Sequence, residues 1–417
     1  MSQLNYLEKL LDGVEVEWKA LGEVCDFKNG FAFKSSLFKE AGLPIIRITN
    51  VDGKNISLDD VKYFDPSDYK ENTASYEISK GDILIAMSGA TTGKIGFYAH
   101  ESPAYLNQRV GKFLPKPKIL NNRYLYHYLL SKVEQIYVIA GGGAQPNLSS
   151  NALMAKIEIP IPCPDNPEKS LAIQAEIVRI LDAFTAMTAE LTAELNLRKK
   201  QYNYYRDQLL SFEEGDVEWW ALSEMAEYSK ARISYTELDD SNYVGVESLL
   251  QNRAGKIDST RTPDSGNLTQ YNPDDILIGN IRPYLKKIWH ADRVGGTNGD
   301  VLVVHPTDTA INPRYLYQVL ADDKFFEYNM QHAKGAKMPR GNKPKIMEYL
   351  VPIPFASNRE KSLSEQERIV TILDKFDTLT SSITEGLPRE IELRQKQYEY
   401  YRDLLLSFPK SHSDEAA

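Results

Sequence analysis

The feature that most constrains this chain is a near-complete internal duplication. Short segments of the 417-residue sequence recur at offsets between 191 and 201 residues, so one unit of ~200 residues is used twice. The longest match pairs LRKKQYNYYRDQLLSF at 197–212 with LRQKQYEYYRDLLLSF at 393–408, and shorter matches pair GDILI with DDILI and IPIP with VPIP. Two copies are too few for a solenoid, which needs at least three. The sequence therefore predicts a pseudo-twofold molecule.

Similarity between the copies is uneven. The helical segments match closely, whereas residues 25–155 and 226–348 match only at scattered framework positions. Two divergent inserts on a repeated scaffold indicate two recognition modules with different targets, although drift after duplication would also produce them. The segment YLEKLL at 6–11 resembles YRDQLL at 205–210. The chain is therefore expected to begin in the middle of a repeat, which predicts a circular arrangement with neighbouring termini.

The predicted fold is α+β, with two mixed α/β globular domains separated by two long antiparallel helices that form a coiled coil. Strands are expected at 44–48 and 83–87, and amphipathic helices at 121–138 and 312–331. The prolines of IPIP and VPIP exclude these segments from helix interiors.

The long central helix is predicted from the absence of Gly and Pro between 170 and 211 and from a heptad seam that starts at Ile173. Some 40 residues of helix span roughly 60 Å and need a packing partner. The obvious partner is the second copy, predicted to start at a capping box at Ser364 and to be interrupted at Gly386.

Domain boundaries follow from these elements. We expect an N-terminal helix stub at 1–15, a first recognition domain at 16–164 and a central helix at 165–213. A second recognition domain at 214–356, a helical region at 357–410 and a disordered tail at 411–417 complete the prediction.

Composition and motifs argue against several function classes. The chain has 42% hydrophobic residues, two distant cysteines and no long apolar run, which predicts a cytosolic protein without a signal peptide or transmembrane helix. The segment SGATTGKI at 88–95 lacks the first glycine and the final Ser or Thr of a phosphate-binding loop, so a turn is expected there. Six dispersed histidines show no metal-ligand spacing. We therefore predict neither a catalytic nor a metal site.

Basic, amide-rich and glycine-rich loops in the divergent segments are the candidates for binding DNA. The net charge of −9 disfavours a non-specific polyanion coat but leaves locally basic surfaces possible. The densest loop, KGAKMPRGNKPK at 334–345, contains five cations and no acid, and Arg340 could contact guanine edges. A solvated polar loop is the alternative at each position. The candidates are Lys28, Asn29, Lys34, Lys94, Asn107, Gln108, Arg109, Gln145, Asn147, Asn280, Arg282, Lys286, Lys287, Asn298, Lys334, Lys337, Arg340, Asn342 and Lys343.

A tandem repeat interrupts the heptad seam of the central helix. Residues 188–195 read TAELTAEL, and the positions assigned to this feature are Thr188, Leu191, Thr192 and Leu195. One four-residue copy adds roughly 6 Å and about 40° of rotation, while one base pair of duplex turns by about 35°. Copy number could therefore tune the phase of two DNA-recognition modules by one base pair. A slipped codon repeat without consequence is the alternative.

These residues together resemble the specificity subunit of a type I restriction-modification enzyme, most closely the TAEL-repeat (type IC) subgroup. The resemblance rests on SLAIQAEIVRILDAFTA at 170–186, TAELTAEL, the duplicated LRKKQYNYYRDQLLSF and the opening YLEKLLDGVEVEW. It covers the whole chain. No family motif identifies base-contacting residues, so the candidates above rest on the loop arguments alone.

The resemblance implies a non-catalytic subunit with two target-recognition domains, each of which recognises one half of an asymmetric, bipartite DNA site. It implies that the helices fix the spacer and bind two methyltransferase subunits, and that two ATP-dependent restriction subunits join them. The cofactors S-adenosylmethionine, ATP and Mg²⁺ are then expected on the partner subunits. A coiled-coil scaffold without sequence preference and a stand-alone DNA-modifying enzyme remain alternatives.

Overall fold

The computed structural model describes residues 13–142, 146–212, 217–382 and 384–408. The chain divides into two compact units, Met1–Met187 with Arg394–Ala417 (unit 1) and Thr188–Leu393 (unit 2). The C-terminal residues thus group with the N-terminal ones, as the circular arrangement predicts. Of the helix predicted at 1–15, residues 1–12 lie outside the described residues and residues 13–15 are not helical; the tail predicted at 411–417 also lies outside the described residues.

Unit 1 consists of three small sheets with short helices against them. Its sheets have the strand orders β2-β9-β6-β7, β4-β3-β8-β5 and β1-β10 and are built from β1 (Val16–Ala20), β2 (Cys25–Asn29), β3 (Leu43–Ile46), β4 (Lys62–Phe64), β5 (Glu77–Ile78), β6 (Ile83–Ala86), β7 (Ile95–Phe97), β8 (Ala104–Leu106), β9 (Val110–Pro115) and β10 (Glu158–Pro162). The helices are α1 (Leu21–Val24), α2 (Asn122–Ser131), α3 (Val133–Ile139), α4 (Ser150–Lys156) and α5 (Pro167–Leu209), which continues into unit 2.

Unit 2 repeats this pattern. Its sheets have the orders β12-β19-β16-β17, β13-β15-β18-β14 and β11-β20 and are built from β11 (Val217–Ala221), β12 (Ala226–Tyr228), β13 (Arg232–Ser234), β14 (Tyr243–Val244), β15 (Asn267–Tyr271), β16 (Ile276–Gly279), β17 (Ile288–His290), β18 (Gly295–Thr297), β19 (Val301–Pro306) and β20 (Leu350–Pro354). The helices are α6 (Leu222–Met225), α7 (Pro313–Leu320), α8 (Asp323–Gln331), α9 (Lys343–Met347), α10 (Arg359–Thr380) and α11 (Gly386–Leu406), of which residues 394–406 belong to unit 1.

The strands predicted at 44–48 and 83–87 are present as β3 and β6, and β6 and its counterpart β16 are inner strands of their sheets. All four residues of β6 and of β16 are buried, and each strand pairs on both sides with antiparallel neighbours. The prolines of IPIP and VPIP lie in the two-stranded ribbons β1-β10 and β11-β20. A strand with only one neighbour tolerates the missing proline N–H.

Each unit has its own helix pair. In unit 1, Phe184 of α5 stacks on Tyr401 of α11, with ring centres 5.1 Å apart. In unit 2, Tyr202 and Tyr205 of α5 stack on Phe376 of α10 at 5.7 and 5.5 Å. The predicted α+β class, with two sheet-containing regions and a long central helix, is confirmed.

Three helix boundaries differ from the sequence prediction. The helix predicted at 121–138 is divided into α2 and α3 at Lys132, and the one at 312–331 into α7 and α8 at Asp322, whose carboxylate accepts from the Lys324 N–H at 2.9 Å. The helix α10 begins before Ser364, because Asn358 already caps it by accepting from the Lys361 N–H at 3.1 Å. The predicted interruption is present, since α10 ends at Thr380 and α11 begins at Gly386, where φ is +78°.

Candidate nucleic-acid interface

Four candidate residues of unit 1 line one cleft of about 450 Å³. Asn29 lies at the end of β2, Gln108 and Arg109 lie on the turn between β8 and β9, and Asn147 precedes α4. The folded chain therefore brings together three loops that are distant in sequence. The rest of the lining consists of Met87, Leu148, Ser149 and Ser150.

The cleft presents hydrogen-bonding groups and one cation. Arg109 Nη1 donates to Ser88 Oγ at 3.0 Å, and the Asn29 amide donates to Ser150 Oγ at 3.4 Å. The side chains of Gln108, Arg109 and Asn147 are exposed. No carboxylate is among the described residues that line the cleft. Donors of this kind can contact phosphates and base edges. Sequence analysis missed Ser149 and Ser150, because serines in a polar loop carry no distinguishing signal.

The remaining candidates of unit 1 do not line this cleft. Lys28 Nζ lies 4.5 Å from the centre of the Tyr76 ring, and Lys34 is exposed. Lys94 is half-buried beside Gly53, and Asn107 is held by its N–H donating to Ile46 O at 3.1 Å. Gln145 lies outside the described residues.

Three loops of unit 2 meet through backbone hydrogen bonds. Asn280 donates its N–H to Asp300 O at 2.9 Å, and its carbonyl accepts from the Gly341 N–H at 3.1 Å. Arg282, in the left-handed region at φ +53°, donates its N–H to Pro339 O at 2.7 Å. One surface is therefore formed by three segments: the residues after β16, the turn before β19 and the basic loop at 334–345.

The basic loop has an acidic partner that its sequence does not reveal. Arg340 Nη1 donates to Asp300 Oδ1 at 2.8 Å, and both side chains remain partly exposed. The expected excess of positive charge at Arg340 is therefore partly neutralised. Sequence analysis missed Asp300 because it precedes Arg340 by 40 residues and only the tertiary structure brings the two together.

Two of the candidate lysines make hydrogen bonds through their ammonium groups within unit 2. Lys286 Nζ donates to Asp323 Oδ1 at 2.8 Å, and Lys287 Nζ donates to Val246 O at 2.6 Å. Burial lowers the pKa of Lys287. These contacts indicate that both lysines stabilise the loop.

The other unit 2 candidates lie around the three loops. Asn298 donates to Tyr243 Oη at 3.2 Å and accepts from the Asp300 N–H at 3.0 Å, so it shapes the turn. Asn342 precedes α9 as its N-cap residue. Besides Arg340, the exposed cations among the unit 2 candidates are Arg282, Lys334, Lys337 and Lys343.

The two clusters occupy the same place on the repeated framework. In unit 1, Met87 N–H donates to Arg109 O at 2.9 Å, as Asn280 N–H does to Asp300 O in unit 2. Ser88 pairs with Asn147 in an antiparallel bridge, as Ile281 does with Arg340. Arg109 therefore corresponds to Asp300, and Asn147 corresponds to Arg340, so the same backbone positions carry different chemistry.

The four helix candidates lie consecutively on α5. Thr188, Leu191 and Leu195 are half-buried, Thr192 is exposed, and the Thr192 hydroxyl donates to Thr188 O at 2.8 Å. The helix is continuous through this segment. The tandem repeat is therefore accommodated without a break in the hydrogen-bond ladder.

Two further observations concern the described residues as a whole. None of their helices is both long enough and apolar enough to cross a bilayer. They also contain no cluster of three or more His, Cys, Asp or Glu side chains suited to a metal ion.

Comparison with known proteins gives a consistent result over the whole chain. The family model described as "Type I restriction modification DNA specificity domain" matches residues 13–198 and again 214–393. The chain is 37% identical to the specificity subunit of the type I restriction enzyme EcoR124I/EcoR124II from Escherichia coli, covering 98% of both chains. It is 32% identical to the EcoprrI specificity subunit from Escherichia coli, covering 92% of this chain and 93% of that one.

Solved structures show the same fold. The S subunit of a type I restriction-modification system from M. genitalium has a TM-score of 0.59 at 17% identity, covering 96% of this chain and 98% of that one. A chain from a study titled as the structural basis of complex assembly and conformational transition of the type I R-M system has a TM-score of 0.50 at 14% identity, covering 94% and 98%. At these identities the likeness concerns the fold alone.

Proposed function

The chain belongs to the type I restriction-modification DNA specificity family, and from this premise we propose how it selects DNA. Unit 1 and unit 2 each recognise one half of an asymmetric, bipartite site on double-stranded DNA. The chain performs no chemistry itself and directs the enzymatic subunits that bind to it. The residues that contact bases and phosphates belong to the loop clusters around Asn147 and Arg340.

One observation carries the proposal. The repeated framework holds an amide at Asn147 and a guanidinium at Arg340 in equivalent bridges, with Arg109 and Asp300 at the adjoining positions. Amide side chains pair with adenine and guanidinium groups pair with guanine in the major groove. Recognition of two different half-sites by two similar units requires different side chains at equivalent backbone positions, which is the arrangement in unit 1 and unit 2. Drift alone does not explain why each cluster keeps hydrogen-bonding groups at the loop convergence.

The helices are proposed to fix the unrecognised spacer between the half-sites. The tandem TAEL repeat on α5 supports assignment to the TAEL-repeat subgroup of specificity subunits, and we propose that the number of repeats sets the spacer length. A continuous helix transmits a four-residue insertion as a shift and a rotation. Two copies correspond to the shorter-spacer form.

The proposed partner subunits follow from membership of the family and from a similar structure that was solved in a study of complex assembly of the type I R-M system. We propose that the helices bind two methyltransferase subunits, which use S-adenosylmethionine to methylate adenine in each half-site. Two restriction subunits, which use ATP and Mg²⁺, would complete the restriction complex. The acidic net charge of −9 fits a chain whose partners supply part of the DNA channel.

The experiment is co-expression of the full chain with its cognate methyltransferase subunit, followed by mapping of methyladenine across the host genome at single-base resolution. The proposal expects a single split motif, methylated once in each half. Scattered methylation, or none, in a complex that still assembles would contradict it and favour a scaffold without sequence preference. Binding of S-adenosylmethionine by the isolated chain would favour a stand-alone enzyme.

A further inference from the structure

Asp300 is an acidic side chain at the centre of the unit 2 loops. A carboxylate beside a polyanion weakens non-specific binding, so its position there needs a reason. Folding stability does not supply that reason, because the side chain of Arg340 is 51% exposed and that of Asp300 is 35% exposed. Ion pairs at such exposure contribute only about 0–1 kcal/mol to folding.

The backbone holds both members of the pair in place. The Asp300 N–H donates to Asn298 Oδ1 at 3.0 Å, and its carbonyl accepts from the Asn280 N–H at 2.9 Å. Arg340 exchanges two backbone hydrogen bonds with Lys334, at 2.8 and 2.9 Å. The backbone of both residues is thus held in place, and the 2.8 Å bond between Arg340 Nη1 and Asp300 Oδ1 joins the two side chains before any ligand arrives, which lowers the entropy cost of recognition.

The pair leaves a defined set of groups for a ligand. Arg340 uses Nη1 for Asp300, so Nη2 and Nε can still donate to the O6 and N7 acceptors of guanine. Among the residues that the structure describes, Asp300 Oδ2 makes no hydrogen bond. A carboxylate accepts from the exocyclic amino group of cytosine or adenine and repels a base that presents only acceptors.

We propose that Asp300 is a specificity-determining residue of unit 2, resting on the proposed function above. It orients Arg340 toward guanine and selects a base that presents an exocyclic amino group in the major groove. Unit 1 has a cation, Arg109, at the equivalent position and an amide, Asn147, in place of Arg340. The different charges at these two equivalent positions make the two half-sites different.

The test compares methylated motifs and DNA affinities of the full chain co-expressed with its methyltransferase subunit. Asp300→Asn preserves shape but removes the charge. We expect the motif to broaden at one position in the half-site that Arg340→Ala also alters. Guanine or thymine, which present only acceptors in the major groove, should be accepted there, because the asparagine amide can donate to them. The ratio of cognate to single-substituted affinity should fall about tenfold, while affinity for unrelated duplex rises.

Glu348→Gln is the matched control, because it makes the same change in charge in an exposed pair of unit 2, where Lys345 Nζ lies 2.6 Å from Glu348. It should leave the motif unchanged. An unchanged motif in Asp300→Asn would overturn the inference. So would an equal loss of affinity for all duplexes in a variant with unaltered thermal unfolding, since Asp300 would then only support Arg340. The wild-type motif, obtained in the same experiment, decides the proposed function separately.

Discussion

Gln174 and Gln366 make the same three hydrogen bonds in the two units. Gln174 accepts from the Asn121 N–H at 2.8 Å and donates to Ile119 O and Ser170 Oγ at 2.9 and 3.1 Å. Gln366 accepts from the Asn312 N–H at 2.8 Å and donates to the Ala310 carbonyl and the Ser362 hydroxyl, each at 3.1 Å. Both glutamines are fully buried. Each links a long helix to the N-terminus of the helix that packs on it.

Replacement of either glutamine by leucine should destabilise its unit. Each change removes the glutamine partner of a partly buried backbone N–H and of a partly buried carbonyl, at a cost of about 1–3 kcal/mol. Urea unfolding of the full chain measures this, and the exposed Gln331→Leu serves as the control, expected within about 0.5 kcal/mol of wild type. Wild-type stability in Gln174→Leu would show that water replaces the lost partner.

A histidine and a glutamine occupy equivalent positions against these helices. His127 Nε2 lies 2.8 Å from Asp182 Oδ1, and its Nδ1 lies 2.9 Å from Tyr398 Oη. In unit 2, Gln318 Nε2 donates to Asp374 Oδ1 at 2.6 Å. A carboxylate only accepts, so neutral His127 carries its proton on Nε2 and accepts from Tyr398 at Nδ1.

The stability of unit 1 should fall as the pH falls below 6.5. Burial lowers the pKa of His127 from its ordinary value of 6.5, more than the Asp182 hydrogen bond raises it. At a pH between the lowered pKa of folded His127 and 6.5, His127 is protonated in the unfolded chain and neutral in the folded chain. The contribution of neutral His127 to the free energy of unfolding is therefore fully present above pH 6.5 and is lost as the pH falls. His127→Gln should reduce this slope, measured as thermal unfolding between pH 5 and 7.

The unfolding of the full chain should still depend on pH in that variant, because burial also lowers the pKa of His290, in unit 2, to about 4. His332→Gln is a control, since this histidine lies at the end of α8 and is partly exposed. An identical pH profile for wild type and His127→Gln would mean that His127 is not the group responsible.

Arg340→Ala and Asn147→Ala should affect opposite half-sites. Each removes one side chain from one loop cluster, and loss of a base contact should weaken or relax that half-site by about 1–3 kcal/mol. Competition binding with duplexes altered in one half at a time measures this. Equal weakening on all sequences would identify a phosphate contact, and effects of both variants on the same half-site would contradict the assignment of one unit to each half.

Deletion of residues 192–195 should shorten the preferred spacer by one base pair and leave both half-site sequences unchanged. The deletion removes one repeat copy, which is about 6 Å of helix and about 40° of rotation. Methyladenine mapping of the variant complex measures the spacer directly. Substitution of the same segment by four alanines keeps the helix length and is the control, for which an unchanged spacer is expected. An unchanged spacer in the deletion variant would exclude the repeat as the determinant.

The candidate site was predictable only in part. Residue type and loop position predicted Asn29, Gln108, Arg109 and Asn147, and the structure places all four on one cleft. The same criteria selected Lys286, although its ammonium group is bound to Asp323. Residue type does not reveal whether a cation already has an internal partner.

The duplication, the α+β class, the strand at 83–87 and the interruption of the second helical region at Gly386 were all predictable from the sequence alone. The elements follow from local propensity and hydrophobic period, which are properties of neighbouring residues, and the duplication follows from direct comparison of the two halves of the sequence. The folded chain was needed to show that Arg109 corresponds to Asp300, that Asn147 corresponds to Arg340, and that Asp300 pairs with a cation of a loop that has no acids of its own. Such relationships depend on backbone hydrogen bonds between loops distant in sequence, and no local pattern encodes them.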